Sequence, residues 1–256
     1  MKQSNSNKTA LITGFSSGIG MAYSKHLASE GWNLELVSQD KSRSDHARKE
    51  LNYPKANFHL SDLSNPEAIE TLCRDISTPD LIVANAGITK FGKAGSLTFK
   101  EKMDLFYLLC NGVIDLIEAY LPKMIEKKDS RIVIISSIGA VTPMPKSSIY
   151  AAAKSGIHSY GQSLSKELVN QGVSVTVSLP GYVRTSAHKR AGLDHLNDKV
   201  PSWMWIEAEQ VVKETEKASI KGHSYVIPGI IYKLVRPFLQ SEAANRIWNK
   251  ITRKNP

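Results

Sequence analysis

The chain has 256 residues, 41% of them hydrophobic and 22% charged, which suits one large soluble α/β domain with a full core and excludes a disordered polar tract. Its two cysteines, Cys73 and Cys110, fall in apolar segments without CxxC spacing, and its seven histidines form no ligand pattern, so neither a disulfide frame nor a metal site is expected. The net charge of +9 gathers toward the C-terminal end, where residues 221–256 carry seven Lys or Arg against Glu242 alone. That reads as a solvated basic surface, with contact to an anionic membrane or an acyl carrier as the alternative, and not as a nucleic-acid site.

Met1 to Lys8 is polar and lacks the apolar core of an export signal, and no apolar run reaches the length of a membrane span. A cytoplasmic setting is expected, with residues 1–7 a flexible lead into the fold.

Lys8 to Thr13 reads as a short buried strand that runs into Gly14-Phe15-Ser16-Ser17-Gly18-Ile19-Gly20, and Met21 to Glu30 is helix-like. Strand, glycine-rich turn and helix in that order aim backbone N–H groups and a helix N-terminus at an anion. The spacing is Gly-x-x-x-Gly-x-Gly, which differs from the standard dinucleotide fingerprint. Gly14, Ser16, Ser17, Gly18, Ile19 and Gly20 are the candidate phosphate contacts. Gly31 ends the helix, and Asn33 to Ser38 completes a βαβ unit.

The end of this second strand bears on the coenzyme. An acid there would hold a free ribose 2′-hydroxyl, whereas Arg or Lys would accept a 2′-phosphate. Ser38 and Gln39 suit either form, Lys41 and Arg43 favour phosphate and Asp40 opposes it, so the balance leans to NADP(H) over NAD(H).

Ala56 to Ser61 is a third strand ending in Asp62-Leu63, a candidate adenine contact, although Asp62 serves equally well as N-cap for a helix beginning near Pro66. Asp80 to Ala84 is a fourth strand opening into Asn85-Ala86-Gly87, whose small residues let a ligand lie against the backbone while the Asn amide ties strands together. Glu101 to about Leu121 is apolar at helical spacing, with Pro122 kinking or ending it and Asn111 midway. Asn111 reads either as a polar residue at the helix margin or as a hydrogen bond into a water chain. Arg131 to Ser137 is a fifth strand that delivers Ser137 at its carboxyl end, where open parallel sheets place ligands.

A helix from about Ser148 to Asn170 sets Tyr150 and Lys154 on one face, with Ser147 and Ser148 as candidate caps. A fixed positive neighbour favours the phenolate and lowers a tyrosine pKa, so this pair can do proton chemistry. Alone, Tyr-x-x-x-Lys is a chance-level match. Val173 to Leu179 is a sixth strand, followed by Pro180-Gly181-Tyr182-Val183-Arg184-Thr185, a turn that can offer backbone groups and the Thr185 hydroxyl to a carboxamide.

The ordered set Thr13-Gly14-x-x-x-Gly18-Ile19-Gly20, Asn85-Ala86-Gly87, Asn111, Ser137, Tyr150-x-x-x-Lys154 and Pro180-Gly181-x-x-x-Thr185 resembles the short-chain dehydrogenase/reductase family over about residues 8 to 190. The resemblance implies a single-domain Rossmann-like, doubly wound parallel sheet of about seven strands with helices on both faces. It implies an oxidoreductase exchanging a hydride between nicotinamide and a carbonyl or secondary alcohol. Tyr150 would be the proton donor or acceptor and Ser137 the holder of the substrate oxygen. Lys154 would bind the nicotinamide ribose and lower the Tyr150 pKa, and Asn111 would anchor a water relay from Lys154. Relatives commonly pair the helices beginning near Glu101 and Ser148, which implies a homodimer or homotetramer. Gln39 stands where many relatives carry Arg.

Residues 186–206 would be the substrate lid, with His188, Leu193, Leu196, Trp203, Met204 and Trp205 available as an apolar cover, though core contacts explain them equally. Glu207 to Ser219 reads as a helix, Ser224 to Ile227 as a last strand, and residues 228–256 as a basic C-terminal extension. The substrate expected is an apolar or bulky carbonyl, acyl-like or steroid-like. The competing reading is a dinucleotide-sensing module of the same fold without turnover, or a membrane-associated relative.

Overall fold

Strand-forming residues without alternation need a sheet covered on both faces, and the chain provides one. The computed structural model describes residues 7–90, 92–185 and 200–235. Strands β1 (Thr9–Thr13), β2 (Asn33–Ser38), β3 (Ala56–Leu60), β4 (Leu81–Ala84), β5 (Ser130–Ile135), β6 (Val173–Ser178) and β9 (Tyr225–Val226) form a seven-stranded sheet in the order β3-β2-β1-β4-β5-β6-β9, with every pair parallel. One register line runs Leu36, Ile12, Val83, Val133, Thr176 across five strands. The first four are wholly buried, and burying a side chain of this size stabilises by about 1.5–3 kcal/mol. The order reverses between β1 and β4, so the carboxyl ends of these two strands open a crevice.

Helices α1 (Gly18–Ser29), α2 (Lys41–Leu51), α3 (Pro66–Asp75), α4 (Phe99–Phe106), α5 (Gly112–Lys127), α6 (Ser148–Glu167), α7 (Ala208–Ile220) and the short α8 (Ile230–Val235) complete the described fold. Helix α2 was not expected. Its residues are polar almost all round and bury only Ser44 and Ala47, so no apolar stripe announces it; Asp40 starts it by accepting the Arg43 backbone N–H at 2.8 Å. Helix α3 corrects the reading of Asp62, because the cap is Asn65, which accepts from Glu67 N at 3.0 Å ahead of Pro66. Asp62 instead closes a local turn, accepting from both the backbone N and the hydroxyl of Ser64.

The predicted helix Glu101–Leu121 is longer and less regular than its periodicity says. It begins at Phe99 with a capping box between Thr98 and Glu101, widens to a π-helical turn over Tyr107–Asn111, and runs through Pro122 to Lys127. Pro122 removes the partner of the Glu118 carbonyl, and Glu118 is exposed, so water can satisfy it. The combined run of 29 residues, Phe99–Lys127, is long and apolar enough to cross a bilayer, contrary to the sequence reading. Its inner face, with Leu105, Leu109, Ile117 and Met124, packs in the core, while Phe99 and Met103 stay exposed.

A second small sheet pairs β7 (Tyr182–Val183) with β8 (Trp205–Ile206) in parallel. It is braced by Tyr232 of α8, whose hydroxyl donates to the Met204 carbonyl at 2.6 Å and accepts from Tyr182 N at 2.9 Å. The tyrosine ring lies flat on Gly181, where an added Cβ would meet ring atoms at 2.0–2.3 Å.

Candidate active site

The turn between β1 and α1 is shaped by space as much as by torsion. Gly14 and Gly18 have φ of +69° and +55°, which L side chains rarely adopt, and Gly14 N bonds to Val37 O at 2.8 Å. A Cβ on Gly20 would lie 2.2 Å from the Gly14 carbonyl oxygen, and one on Gly18 would lie 2.8 Å from the Thr185 methyl. The turn therefore closes on itself and against the Pro180–Thr185 segment. Ser17, in extended conformation, precedes α1, so the first N–H groups of a 12-residue helix face the crevice.

At the end of β4 the Asn85 amide nitrogen donates to the carbonyls of Thr13 and Gly14, at 2.9 and 3.2 Å. The Thr13 hydroxyl accepts from the backbone N of Asn85 and of Ala86. Most of this motif's bonding ties the two central strands together, and the small residues that follow leave the crevice floor bare.

Ser137 leaves β5 with its hydroxyl accepting from Gly139 N at 3.0 Å. In the first turn of α6, Tyr150 faces the same cavity as Ser137 and Thr89. Lys154 follows at the i+4 position, is buried, and donates from Nζ to the Ile135 carbonyl at 2.8 Å, while its own carbonyl accepts from the Ser136 hydroxyl. Burial lowers the Lys154 pKa to about 8, with a small opposing pull from Cys110. Enclosure raises the Tyr150 pKa, and the groups that oppose the rise are the Ser137 and Thr89 hydroxyls. The expected lowering by the Lys154 charge is not among the effects acting on Tyr150.

Glycine turn, β4 end, Ser137, Tyr150, Lys154 and the Pro180–Thr185 turn surround one cavity of about 600 Å³. Of the residues singled out from the sequence, Gly14, Ser17, Gly18, Ile19, Asn85, Ala86, Gly87, Ser137, Tyr150, Lys154, Pro180, Gly181, Val183 and Thr185 line it. Ser16 and Ser38 sit just outside, joined hydroxyl to hydroxyl at 3.2 Å, and Gly20 lies beneath the turn. Gln39 and Asp62 are exposed, and neither they nor Leu63 reach the cavity wall.

Asn111 is a correction. It closes the π-helical turn facing outward and exposed, and it does not line the cavity. Leu109 takes the inward position: a Cβ added at Gly87 would stand 3.0 Å from Leu109 Cδ2 and 3.9 Å from Lys154 Nζ. The relay role of Asn111 is what the family resemblance implies; the other reading, a polar residue at the helix margin, is the one its exposed place at the end of the π-helical turn fits. Asn111→Ala should accordingly leave kcat/KM and stability within about 0.5 kcal/mol of the parent, as for other exposed positions. Paired steady-state and thermal-melt measurements check this, and a loss of tenfold or more would restore Asn111 to the site.

Several lining residues had not been singled out: Ile88, Thr89, Lys90, Leu97, Glu101 and Leu109. Lys90 and Glu101 form an ion pair at 2.8 Å, and that bond with the Thr98 cap holds the Glu101 pKa down at about 2. Arg43, from the unexpected helix α2, also lines the cavity and pairs with Asp40 at 3.1 Å. Asp40 thus fixes Arg43 as well as capping its helix.

The aromatic cover is a second correction. Met204 and Trp205 are buried with Val200 in a cluster against Tyr182, Trp203 is exposed, and none of the three lines the cavity. His188, Leu193 and Leu196, like most of the 186–206 segment and all of 236–256, lie outside the described residues.

The sequence profile described as short chain dehydrogenase matches residues 8–195. A 3-oxoacyl-(acyl-carrier-protein) reductase FabG of Chlamydia trachomatis is 27% identical over 236 residues, covering 86% of this chain and 93% of its own. The uncharacterized oxidoreductase YmfI of Bacillus subtilis is 30% identical over 233 residues, covering 88% and 96%. Among solved structures, a short-chain dehydrogenase from Sphingobium yanoikuyae in complex with NADPH superimposes with a TM-score of 0.81 at 27% identity, covering 97% of this chain and 98% of its own. With the parallel sheet, the crevice at its strand reversal and the matched span of sequence, the chain belongs to the short-chain dehydrogenase family and is an oxidoreductase of the NAD(P)-dependent kind.

Proposed function

We propose that the protein reduces an apolar carbonyl compound with NADPH, using Tyr150 as the acid. The observation that carries this reading is the meeting of Ser137, Tyr150 and Lys154 in the same cavity as the glycine turn and the N-terminus of α1. The residues fit a dinucleotide: bare backbone at Gly14 and Gly18, the open helix end at Ser17 to Ile19, and the Thr185 side chain close against Gly18. When bound, the coenzyme supplies the hydride for the carbonyl carbon. Tyr150 gives its proton to the carbonyl oxygen as negative charge grows there, and the Ser137 hydroxyl donates a hydrogen bond to the same oxygen. Lys154, anchored on Ile135 O, holds the ribose side of the site and brings an ammonium to the same cavity as the phenol.

Ile88, Leu97 and Leu109 give the substrate side apolar surface, which supports an apolar carbonyl; the 3-oxoacyl reductase among the relatives points to an acyl chain. Arg43 supports the phosphorylated coenzyme, because a guanidinium on the cavity wall can donate two hydrogen bonds to a 2′-phosphate. Arg43→Ala is expected to weaken NADPH binding about tenfold or more, in line with loss of a charged hydrogen bond, and to leave NADH binding unchanged. Fluorescence titration with both coenzymes measures the two values, and an equal loss for both would remove Arg43 from the 2′ position.

A further inference from the structure

We infer that Tyr232 is a positioning residue for the nicotinamide half of the coenzyme, its hydroxyl holding the Pro180–Thr185 wall in the shape that half docks against. This rests on the coenzyme reading of the cavity given above and not on the choice of carbonyl. The sheet order sets the two halves of the site apart. Arg43 follows β2 on one side of the strand reversal, whereas Ser137 and the Pro180–Thr185 wall follow β5 and β6 on the other. A dinucleotide laid across the reversal has its adenosine end toward Arg43 and its nicotinamide end along the wall, with the glycine turn between them.

The wall is an extended stretch tethered at intervals. Leu179 N donates to Val226 O, Ile138 N to Pro180 O and Arg184 N to Ile206 O, each at 2.9 Å. Between the last two, the tether is a side chain from α8. Tyr182 N donates to the Tyr232 hydroxyl at 2.9 Å, and that hydroxyl donates to Met204 O at 2.6 Å. One buried tyrosine thus joins the wall to the segment entering β8, with its ring against Gly181. Backbone groups of successive residues in a strand turn opposite ways, so while the N–H groups of Tyr182 and Arg184 are taken up by α8 and β8, those of Val183, a lining residue, turn to the other side. Helix α8 is itself fixed, because Glu214 on α7 accepts from Gly229 N at 3.2 Å and pairs with Lys233. The edge of the cavity is therefore ordered by a residue that does not line it. Without the hydroxyl, the peptide at Tyr182 loses this tether, and the cost of ordering it falls on coenzyme binding.

The test is calorimetric titration of the full chain with NADPH and with 2′,5′-ADP, which carries the adenosine end and its 2′-phosphate but no nicotinamide. In Tyr232→Phe, which keeps the ring against Gly181, NADPH is expected to bind about tenfold more weakly, the effect of ordering one backbone residue. Binding of 2′,5′-ADP should stay within about twofold of the wild type. Tyr53→Phe is the control: it deletes a hydroxyl bonded to Trp32 O at 2.9 Å, at the amino end of β2 and away from the crevice, and should change neither ligand. Amide exchange on the wild type needs no variant and decides the matter where Tyr232→Phe fails to fold. The Tyr182 amide is expected to be slowed already in the coenzyme-free protein and to gain little when NADPH is added. The inference is overturned if Tyr232→Phe binds NADPH as the wild type does, if both ligands weaken alike, if Tyr53→Phe weakens NADPH as much, or if the Tyr182 amide exchanges freely until NADPH is added. A chain that prefers NADH is tested with NADH and ADP in the same way. Because no carbonyl is present, a wild type that binds NADPH and reduces nothing sinks the proposed function and leaves the role of Tyr232 standing.

Discussion

Tyr150→Phe is expected to lower kcat by about 10²–10⁴-fold, the usual contribution of a positioned acid or base. The substitution deletes one oxygen and keeps the ring. Lys154 retains its bond to Ile135 O, the Ser137 hydroxyl still accepts from Gly139 N, and the glycine turn is untouched, so the dissociation constant for NADPH should hold within about twofold. That separation is the informative part of the measurement. Loss of turnover with coenzyme binding intact assigns the phenol to the chemical step, loss of both would mean that the ring position organises the cavity, and undiminished turnover on an identified carbonyl would sink the assignment of Tyr150 as the acid.

Gly20→Ala should have the largest structural effect. The added methyl would sit 2.2 Å from Gly14 O and 2.6 Å from the Asn85 amide nitrogen that joins β4 to β1. Neither neighbour is the free end of a flexible chain, so the turn itself must open. Overpacking of this kind costs about 1–3 kcal/mol or more, and for a chain of this size each kcal/mol lowers Tm by about 2–4 °C. Coenzyme affinity should fall together with Tm. Gly31→Ala is the control: φ is +85° there, yet nothing lies within 4 Å of an added Cβ, so it strains the backbone without touching the crevice. Thermal melts and NADPH titration on both variants decide the matter; equal coenzyme affinity in the two would show that the close packing at Gly20 is irrelevant to binding.

The parallel sheet was legible because β1, β4 and β5 carry near-continuous apolar runs, the pattern of strands covered on both faces. Ser137 was legible at the carboxyl end of an apolar strand and Tyr150 with Lys154 as an i, i+4 pair sharing a face, but only the ordered set of family motifs raised the pair above a chance match. The misses share a cause: each depends on a contact between residues far apart or on a departure from regular helix. Arg43 was weighed by charge alone, without the capped helix that brings it to the cavity. Asn111 entered the site by family resemblance alone, and the π-helical turn leaves it on the exposed side. The pairing of Tyr182–Val183 with Trp205–Ile206 joins segments too short to show a period.

Tyr232 gives the order in which this site can be finished. The Pro180–Tyr182 turn that walls the cavity is held by a hydroxyl fifty residues further along, with the ring pressed on Gly181. A chain emerging from the ribosome has its glycine turn, its serine and its tyrosine in hand long before this bracket exists. The crevice is therefore begun at the first strand and closed from α8, so its last wall becomes rigid only after Tyr232 has been made.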